Sequence, residues 1–306
     1  MPIHDGEAFL AATLASAAQD TAEGVEFRLY NSGADQGMTR RIAESFADRL
    51  DLHWQDTPEL PSWMAKTNFG VREARAPYIA MLHQDDLWLS GHIASLRRSI
   101  VEHPEAALSV AGTRFADVQG RIFNRWRLPF RPGAVNEADF VATLLVQNSI
   151  AIPTPLIRRD AWLTAGGMDE TLWYTADWDL YLKLAAQGSV VVREAITTAF
   201  RLHGGSLTMT GSRDADDFRE QLEQIINRYL SHVPAATRQC VAGRARASID
   251  LNCALAQASG GKKAALAHAA LQFLRLGPVD LLRYVKQSRI IDRVVPRLQL
   301  AISGRL

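Results

Sequence analysis

Between residue 7 and about residue 200 the apolar positions change period repeatedly. Short runs that are continuously apolar give way to stretches in which apolar residues return every three or four positions. The short runs predict strands at Val25–Tyr30, Tyr78–Leu82, Ala107–Ala111, part of Ile150–Ile157, Ser189–Val192 and Thr197–Leu202. The periodic stretches predict helices at Glu7–Ala18, Met38–Leu50, Trp63–Arg75, His92–Glu102, Glu137–Val146 and Asp177–Gln187. This order predicts an α/β fold, a mostly parallel sheet flanked by helices. Only "MPIHD" precedes the first helix, where a doubly wound domain would open with a central strand. The opening strand is therefore expected to be missing.

From about Arg213 the strand signals stop. The stretches "DADDFREQLEQIINRYL", "AATRQCVAGRARASIDLNCALAQAS" and "GKKAALAHAALQFLRL" read as helices separated by Pro234, Gly260–Gly261 and Gly277–Pro278. The expected division is an α/β domain over 1–212 and a helical C-terminal region over 213–306.

The totals restrict the function classes. Lys plus Arg (34) nearly balance Asp plus Glu (33), so no overall field points to nucleic acid. Two cysteines, Cys240 and Cys253, make neither a disulfide framework nor a zinc site, and both are expected to be core thiols. The start lacks a basic segment followed by an apolar run, and nowhere do about 18 apolar residues follow one another. A cytoplasmic protein without a spanning helix is expected.

The chemistry begins at "APYIAMLHQDDLW", where an apolar run ends in His83, Gln84, Asp85 and Asp86. In open α/β sheets ligands collect beyond the carboxyl ends of strands. Carboxylates there suit a hard divalent ion shared with a substrate's phosphates. An isolated "DD" also serves as a turn or a helix cap. A second acidic group follows in "GGMDETLWYTADWDLYLKLAA": Asp169 and Glu170 after a glycine turn, then Asp177 and Asp179 at a helix start. Acids in a first turn complement the helix dipole, which accounts for each acid singly but not for a second cluster at the edge of one core. Further on, "FRLHGGSLT" supplies His203, either a structural histidine or a ligand.

Taken in order, these stretches resemble glycosyltransferase family 2, inverting enzymes of the GT-A (Rossmann-like) fold that use nucleotide sugars. "VEFRLYNSGADQGMT" is similar to the strand and "DDGSxDGT" turn of that family, "MAKTNFGVREARAPYIAMLHQDDLW" to its helix, strand and DxD motif, and "LIRRDAWLTAGGMDETLWYTADWDLYLKLAAQG" to its acceptor-side segment. The likeness spans about residues 2 to 210. It implies a divalent metal, Mg²⁺ or Mn²⁺, on Asp85 with His203 close by, and Asp177 as the catalytic base. It further implies a UDP-, dTDP- or GDP-linked sugar donor held by Asn31, Ser32, Asn68, His83, Gln84 and Asp86, with Asp169, Glu170, Trp178 and Asp179 supporting the acceptor side. A glycan or lipid-linked glycan acceptor in surface polysaccharide synthesis follows from the same resemblance. Two departures stand out: His83 replaces the first acid of DxD, and Asn31–Ser32 replace the paired aspartates of "DDGS". The altered "DDGS" turn, together with the missing opening strand, motivates a rival reading, a catalytically degenerate sugar-nucleotide-binding or scaffold protein.

The last segment sets Arg275, Arg283, Lys286, Arg289, Arg293, Arg297 and Arg305 among apolar residues. This pattern suits either a helix lying on an anionic membrane, at its inner face, or a helix packed on its own domain with a solvated basic side.

Overall fold

The apolar runs settle into twelve short strands in a computed structural model that describes residues 1–20, 23–33, 36–206, 215–259, 267, 270 and 274–302. They are β1 (Pro2–Ile3), β2 (Glu26–Asn31), β3 (Asp51–Asp56), β4 (Tyr78–Ala80), β5 (Leu87–Trp88), β6 (Leu108–Val110), β7 (Thr113–Ala116), β8 (Ile122–Trp126), β9 (Gly133–Val135), β10 (Leu156–Arg158), β11 (Val190–Val192) and β12 (Thr198–Arg201). Three sheets result, ordered β1-β2-β3, β4-β10-β6-β11-β9 and β5-β12-β7-β8. The α/β class is as expected, but the pairing is mixed rather than mostly parallel. Pairs β1–β2, β2–β3, β6–β11 and β7–β12 are parallel. Pairs β4–β10, β10–β6, β11–β9, β12–β5 and β7–β8 are antiparallel. One reason is connection length: β7 and β8 are joined by a short turn, which only an antiparallel pair tolerates. Asp117 organises that turn by accepting from the backbone N–H groups of Gln119 and Arg121.

The opening strand is not missing but reduced to two residues. Pro2 and Ile3 pair in parallel with Tyr30 and Asn31. A cavity of about 450 Å³ is lined by residues of β2 and β4 together with Leu82, Trp88, Ile93 and Leu96 among others. The Met1 ammonium donates to the Arg28 carbonyl at 2.6 Å, and burial lowers its pKa to about 5.

The C-terminal helices share the main core. Phe218, Leu222, Ile225, Tyr229, Val241, Ile249 and Tyr284 pack in one cluster with Met64, Phe140, Leu144, Leu172 and Tyr181. Asp179, fully buried, ties the two regions together. Its carboxylate meets Lys183 at 2.6 Å and accepts from Arg228 and the Tyr229 hydroxyl at 2.7 Å. Gly260–Gly261, most of the expected helix over 261–276, and Arg305 lie outside the described residues. Cys253 is buried as expected, whereas Cys240 is exposed. No helix among the described residues is long and apolar enough to cross a membrane.

The helix Ile290–Ile302 carries its polarity in an unusual sense. Ile291, Val295, Leu298 and Ile302 point outward, while Pro296 and Leu300 are buried and Arg293 and Arg297 face an internal cavity. The expected solvated or membrane-facing row of basic residues is therefore broken. Arg289 donates to the Leu128 carbonyl, and Asp292 pairs with Arg127.

Candidate active site

A cavity of about 560 Å³ opens among the C-terminal ends of the strands, a volume suited to a small-molecule ligand. His83, Gln84, Asp85, Asp86, Asp177, Trp178 and His203 all line it. Asp85 and Asp177, 92 positions apart in the chain, thus reach one space.

Asp85 follows the end of β4 and takes no part in capping the next helix. That role belongs to Asp20, whose two oxygens accept from the N–H groups of Gly91 and Ile93. The Asp85 carboxylate instead meets His203 Nε2 at 2.9 Å. Burial pushes its pKa upward, but the interaction with His203, its hydrogen bond above all, holds the carboxyl below its usual range. Its neighbour behaves oppositely. Asp86 is buried and beside Asp85, which together raise its pKa well above the ordinary value. One Asp86 oxygen accepts from the Arg201 N–H, and the other is buried without a partner. Arg201 in turn donates to the Asp85 carbonyl and to the Asp117 carbonyl, so the acidic turn is clamped onto β12. His83 is kept neutral by burial, which lowers its pKa to about 4, and its ring stands edge-on to Trp63.

Asp177, on the same cavity, stands in the first turn of the helix Ala176–Ala185. Its oxygens accept from the Trp178 N–H at 2.8 Å and from the Asn148 side-chain amide at 3.1 Å. Burial raises its pKa to about 6, against the pull of both hydrogen bonds. The helix start alone would favour the anion, so desolvation wins at this site.

Asp85 and His203 present an oxygen and an imidazole nitrogen side by side on the wall. That pair fits a divalent ion whose remaining positions are filled by a ligand's phosphate oxygens and water. Among the described residues no three His, Cys, Asp or Glu side chains group into a complete protein cage.

Several expected residues stand elsewhere. Asn31 is fully buried, and its Oδ1 accepts from the Gly33 N–H in a local turn. That turn needs glycine, since a Cβ on Gly33 would lie 2.7 Å from the Asp5 nitrogen. Ser32 sits behind the wall, in contact with His4 and with Lys66, whose Nζ is 2.6 Å from its hydroxyl. Asn68 clips the helix Trp63–Glu73 to the glycine turn: it accepts from the Met168 N–H and donates to the Met168 carbonyl and to Glu170. Asp169 binds Arg228, and Asp179 is the tether already described, so neither faces the cavity. Asn68, Asp169, Glu170 and Asp179 shape the frame rather than the wall.

Residues that the sequence patterns did not assign to the site complete its wall. Lys66 is buried, donates also to the Ile3 carbonyl, and has its pKa lowered by burial to about 8. Asn148, Gln147, Tyr174, Trp126, Arg293 and Arg297 also line the cavity, Asn148 in contact with Asp177. A polar "QN" directly before an apolar run and two arginines four residues apart in an apolar helix were the available signals.

Comparison with known proteins agrees with this geometry. Residues 2–233 match the family model described as glycosyltransferase like family 2. An uncharacterized glycosyltransferase of Rickettsia typhi is 22% identical over 219 residues, covering 71% of this chain and 67% of the relative. A second, from Rickettsia felis, is 21% identical, and the match takes in 75% of this chain but 37% of that longer protein. Among solved structures, S. aureus TarS 1–349 in complex with UDP-GlcNAc superposes with a TM-score of 0.56 at 14% identity, covering 94% of this chain and 90% of that one. The mannosyltransferase PcManGT from Pyrobaculum calidifontis, in complex with GDP-Man and Mn²⁺, also gives 0.56, at 15% identity over 97% and 85%. At such identities the structural likeness establishes the fold.

Proposed function

Because this chain belongs to the glycosyltransferase-like family 2, we propose that it transfers a sugar, with inversion, from a nucleotide-diphosphate donor to a hydroxyl of a glycan or lipid-linked glycan. The observation that carries this reading is that Asp85 with His203, and Asp177 with Asn148, line the same cavity. Inverting transfer needs two separate poles: one that accommodates the growing charge of the leaving diphosphate, and one that removes a proton from the incoming hydroxyl on the opposite side of the sugar.

Asp177 is the base in this proposal. A carboxyl with a pKa near 6 is ionised at neutral pH yet more basic than an ordinary aspartate, which is the compromise general-base catalysis favours. Asn148 and the Trp178 N–H fix the carboxylate's direction, and Trp178 itself offers an apolar wall to a sugar face. Asp85 and His203 would hold a divalent ion, which when bound supplies Lewis-acid stabilisation to a diphosphate. Lys66, near the Ile3 carbonyl, adds positive charge to the donor end. Trp63, Trp173 and Tyr174 provide flat apolar surfaces for a base or sugar. The outward apolar row Ile291, Val295, Leu298 and Ile302, with exposed Arg283 and Lys286 on the preceding helix, supports peripheral membrane contact. That contact suits a lipid-linked acceptor in surface glycan synthesis.

The testing experiment is incubation with a panel of UDP-, dTDP- and GDP-sugars and Mg²⁺ or Mn²⁺, reading release of the nucleotide diphosphate. Slow metal-dependent donor hydrolysis that falls in Asp177→Asn supports transfer. Nucleotide-sugar binding with no turnover under any donor and metal would favour the degenerate binding protein instead.

A further inference from the structure

The helix Ile290–Ile302 turns apolar side chains to the outside and arginines to the inside, the reverse of an ordinary surface helix. Ile291 is 60% and Ile302 87% exposed, whereas Arg293 and Arg297, four residues apart and so on one face, line the cavity that holds Asp177. Placing two guanidinium groups in a cavity is costly unless something negative meets them.

Nothing in the described chain does. Neither arginine has an Asp or Glu within ion-pair distance among the described residues. Nε and Nη1 of Arg293 are buried with no hydrogen-bond partner. The neighbours are π faces and a carbonyl: Arg293 over Trp126 at 5.8 Å, Arg297 over Phe115 at 5.9 Å, and Arg297 Nη1 on the Arg293 carbonyl at 2.7 Å. Arginines buried elsewhere in the fold find oxygen partners. Arg193 donates to Ser109 and Thr154, and Arg244 pairs with Asp280 at 2.6 Å. Arg193 and Arg201 also leave one nitrogen unpartnered, but their other nitrogens are hydrogen-bonded, whereas two nitrogens of Arg293 are buried without a partner, and orphaned donors on a cavity wall point to a ligand atom.

We propose that Arg293 and Arg297 form an oxyanion site for the acceptor: the hydroxyl that is glycosylated belongs to a molecule that also carries a phosphate or a carboxylate. Planar guanidinium forks match either group in a bidentate fashion, where a lysine would offer a point charge. Placement favours the acceptor over the donor. Arg293 lies over Trp126, and Trp126 packs in one cluster with Ala151, three residues beyond the Asn148 that holds Asp177, so the pair sits on the side of the proposed base. The donor diphosphate belongs, in the reading on which this inference rests, to the Asp85 and His203 pole. The outward apolar face of the same helix would then bring a lipid-borne phosphate to the arginines from the membrane side.

The test uses the full chain with Mg²⁺ and saturating UDP or GDP, so that the donor pole is filled. Glucose 6-phosphate, glucuronate and methyl glucoside are then titrated by calorimetry. The expected result is that the two charged sugars bind at least about tenfold more tightly than the neutral one, and that Arg293→Met with Arg297→Met abolishes the difference. Arg293→Lys is expected to recover part of it. Because the Met variants remove unpaired charge from the cavity wall, their melting temperature is expected to equal or exceed that of the native protein, which separates loss of binding from loss of fold. A preference for phosphate over carboxylate, or the reverse, identifies the source of the oxyanion. Equal binding of charged and neutral sugars would overturn the proposal, as would charged sugars that compete with the nucleotide rather than bind beside it. If neither nucleotide binds, glycosyl transfer itself fails, and the same titration without nucleotide still decides whether the arginines take an oxyanion.

Discussion

The side-chain amide of Asn148 donates to the carboxylate of Asp177 at 3.1 Å, joining the loop before β10 to the first turn of the helix Ala176–Ala185. Asn148 opposes the effect of burial on Asp177, so removing it raises the carboxyl's pKa above about 6. The rate of transfer, plotted as kcat/KM against pH, is expected to rise through an acid limb near 6 in the native protein. In Asn148→Ala that limb should move to higher pH, with the largest loss of rate on the acid side. An unmoved limb would remove Asn148 from the positioning of the base.

Asp177 also links pH to stability. Its folded pKa lies above the ordinary 3.8, so the fold favours the protonated form. That contribution is present below about pH 3.8 and is lost as pH rises through 6. Asp177→Asn, which cannot ionise, is therefore expected to raise the melting temperature relative to the native protein at pH 7.5 and to change it little at pH 4. Thermal melts at the two pH values check the sign.

Gly167 adopts φ of +74°, and a Cβ there would stand 2.6 Å from the Asn68 side-chain oxygen. Gly167→Ala is expected to cost about 1–3 kcal/mol from left-handed strain, with further loss from displacing Asn68. Asn68→Ala, by contrast, leaves the backbone unstrained and frees the Met168 N–H and carbonyl. Urea denaturation of both should place Gly167→Ala as the more damaging.

Asp179 is the buried anchor for Lys183, Arg228 and Tyr229, and Arg228 reaches it at 2.7 Å. Truncating one partner of such a buried pair costs roughly 3–5 kcal/mol. Asp179→Ala should accordingly reduce stability far more than Asp169→Ala, whose partner Arg228 retains Asp179.

That Asp85 and Asp177 would reach the candidate site was legible in the sequence because each combines position with charge: Asp85 follows an apolar run, and Asp177 opens an amphipathic helix. The remainder of the wall was not. Asn148 matters only through Asp177, 29 residues away, and Lys66 only because the helix Trp63–Glu73 turns it toward the Ile3 carbonyl and Ser32. Asn31, Ser32 and Asn68 occupy recognisable motif positions, yet their side chains are engaged in local turns and clips. Arg293 and Arg297 read as a surface row because an amphipathic pattern reports two faces without saying which is inside. The strands β3 and β8 escaped notice for a related reason, since their sequences "DLHWQD" and "IFNRW" are polar and largely unburied at the sheet edges.

The central claim is that Asp177 removes a proton opposite a leaving diphosphate held at the Asp85 pole. The direct measurement is transfer from an anomerically defined nucleotide sugar, with the product's anomeric configuration read by NMR and kcat compared between native protein and Asp177→Asn. The account predicts an inverted product and a fall in kcat of about 10²–10⁴-fold with the donor KM little changed. A product of retained configuration, or an Asp177→Asn protein with native kcat, would contradict it.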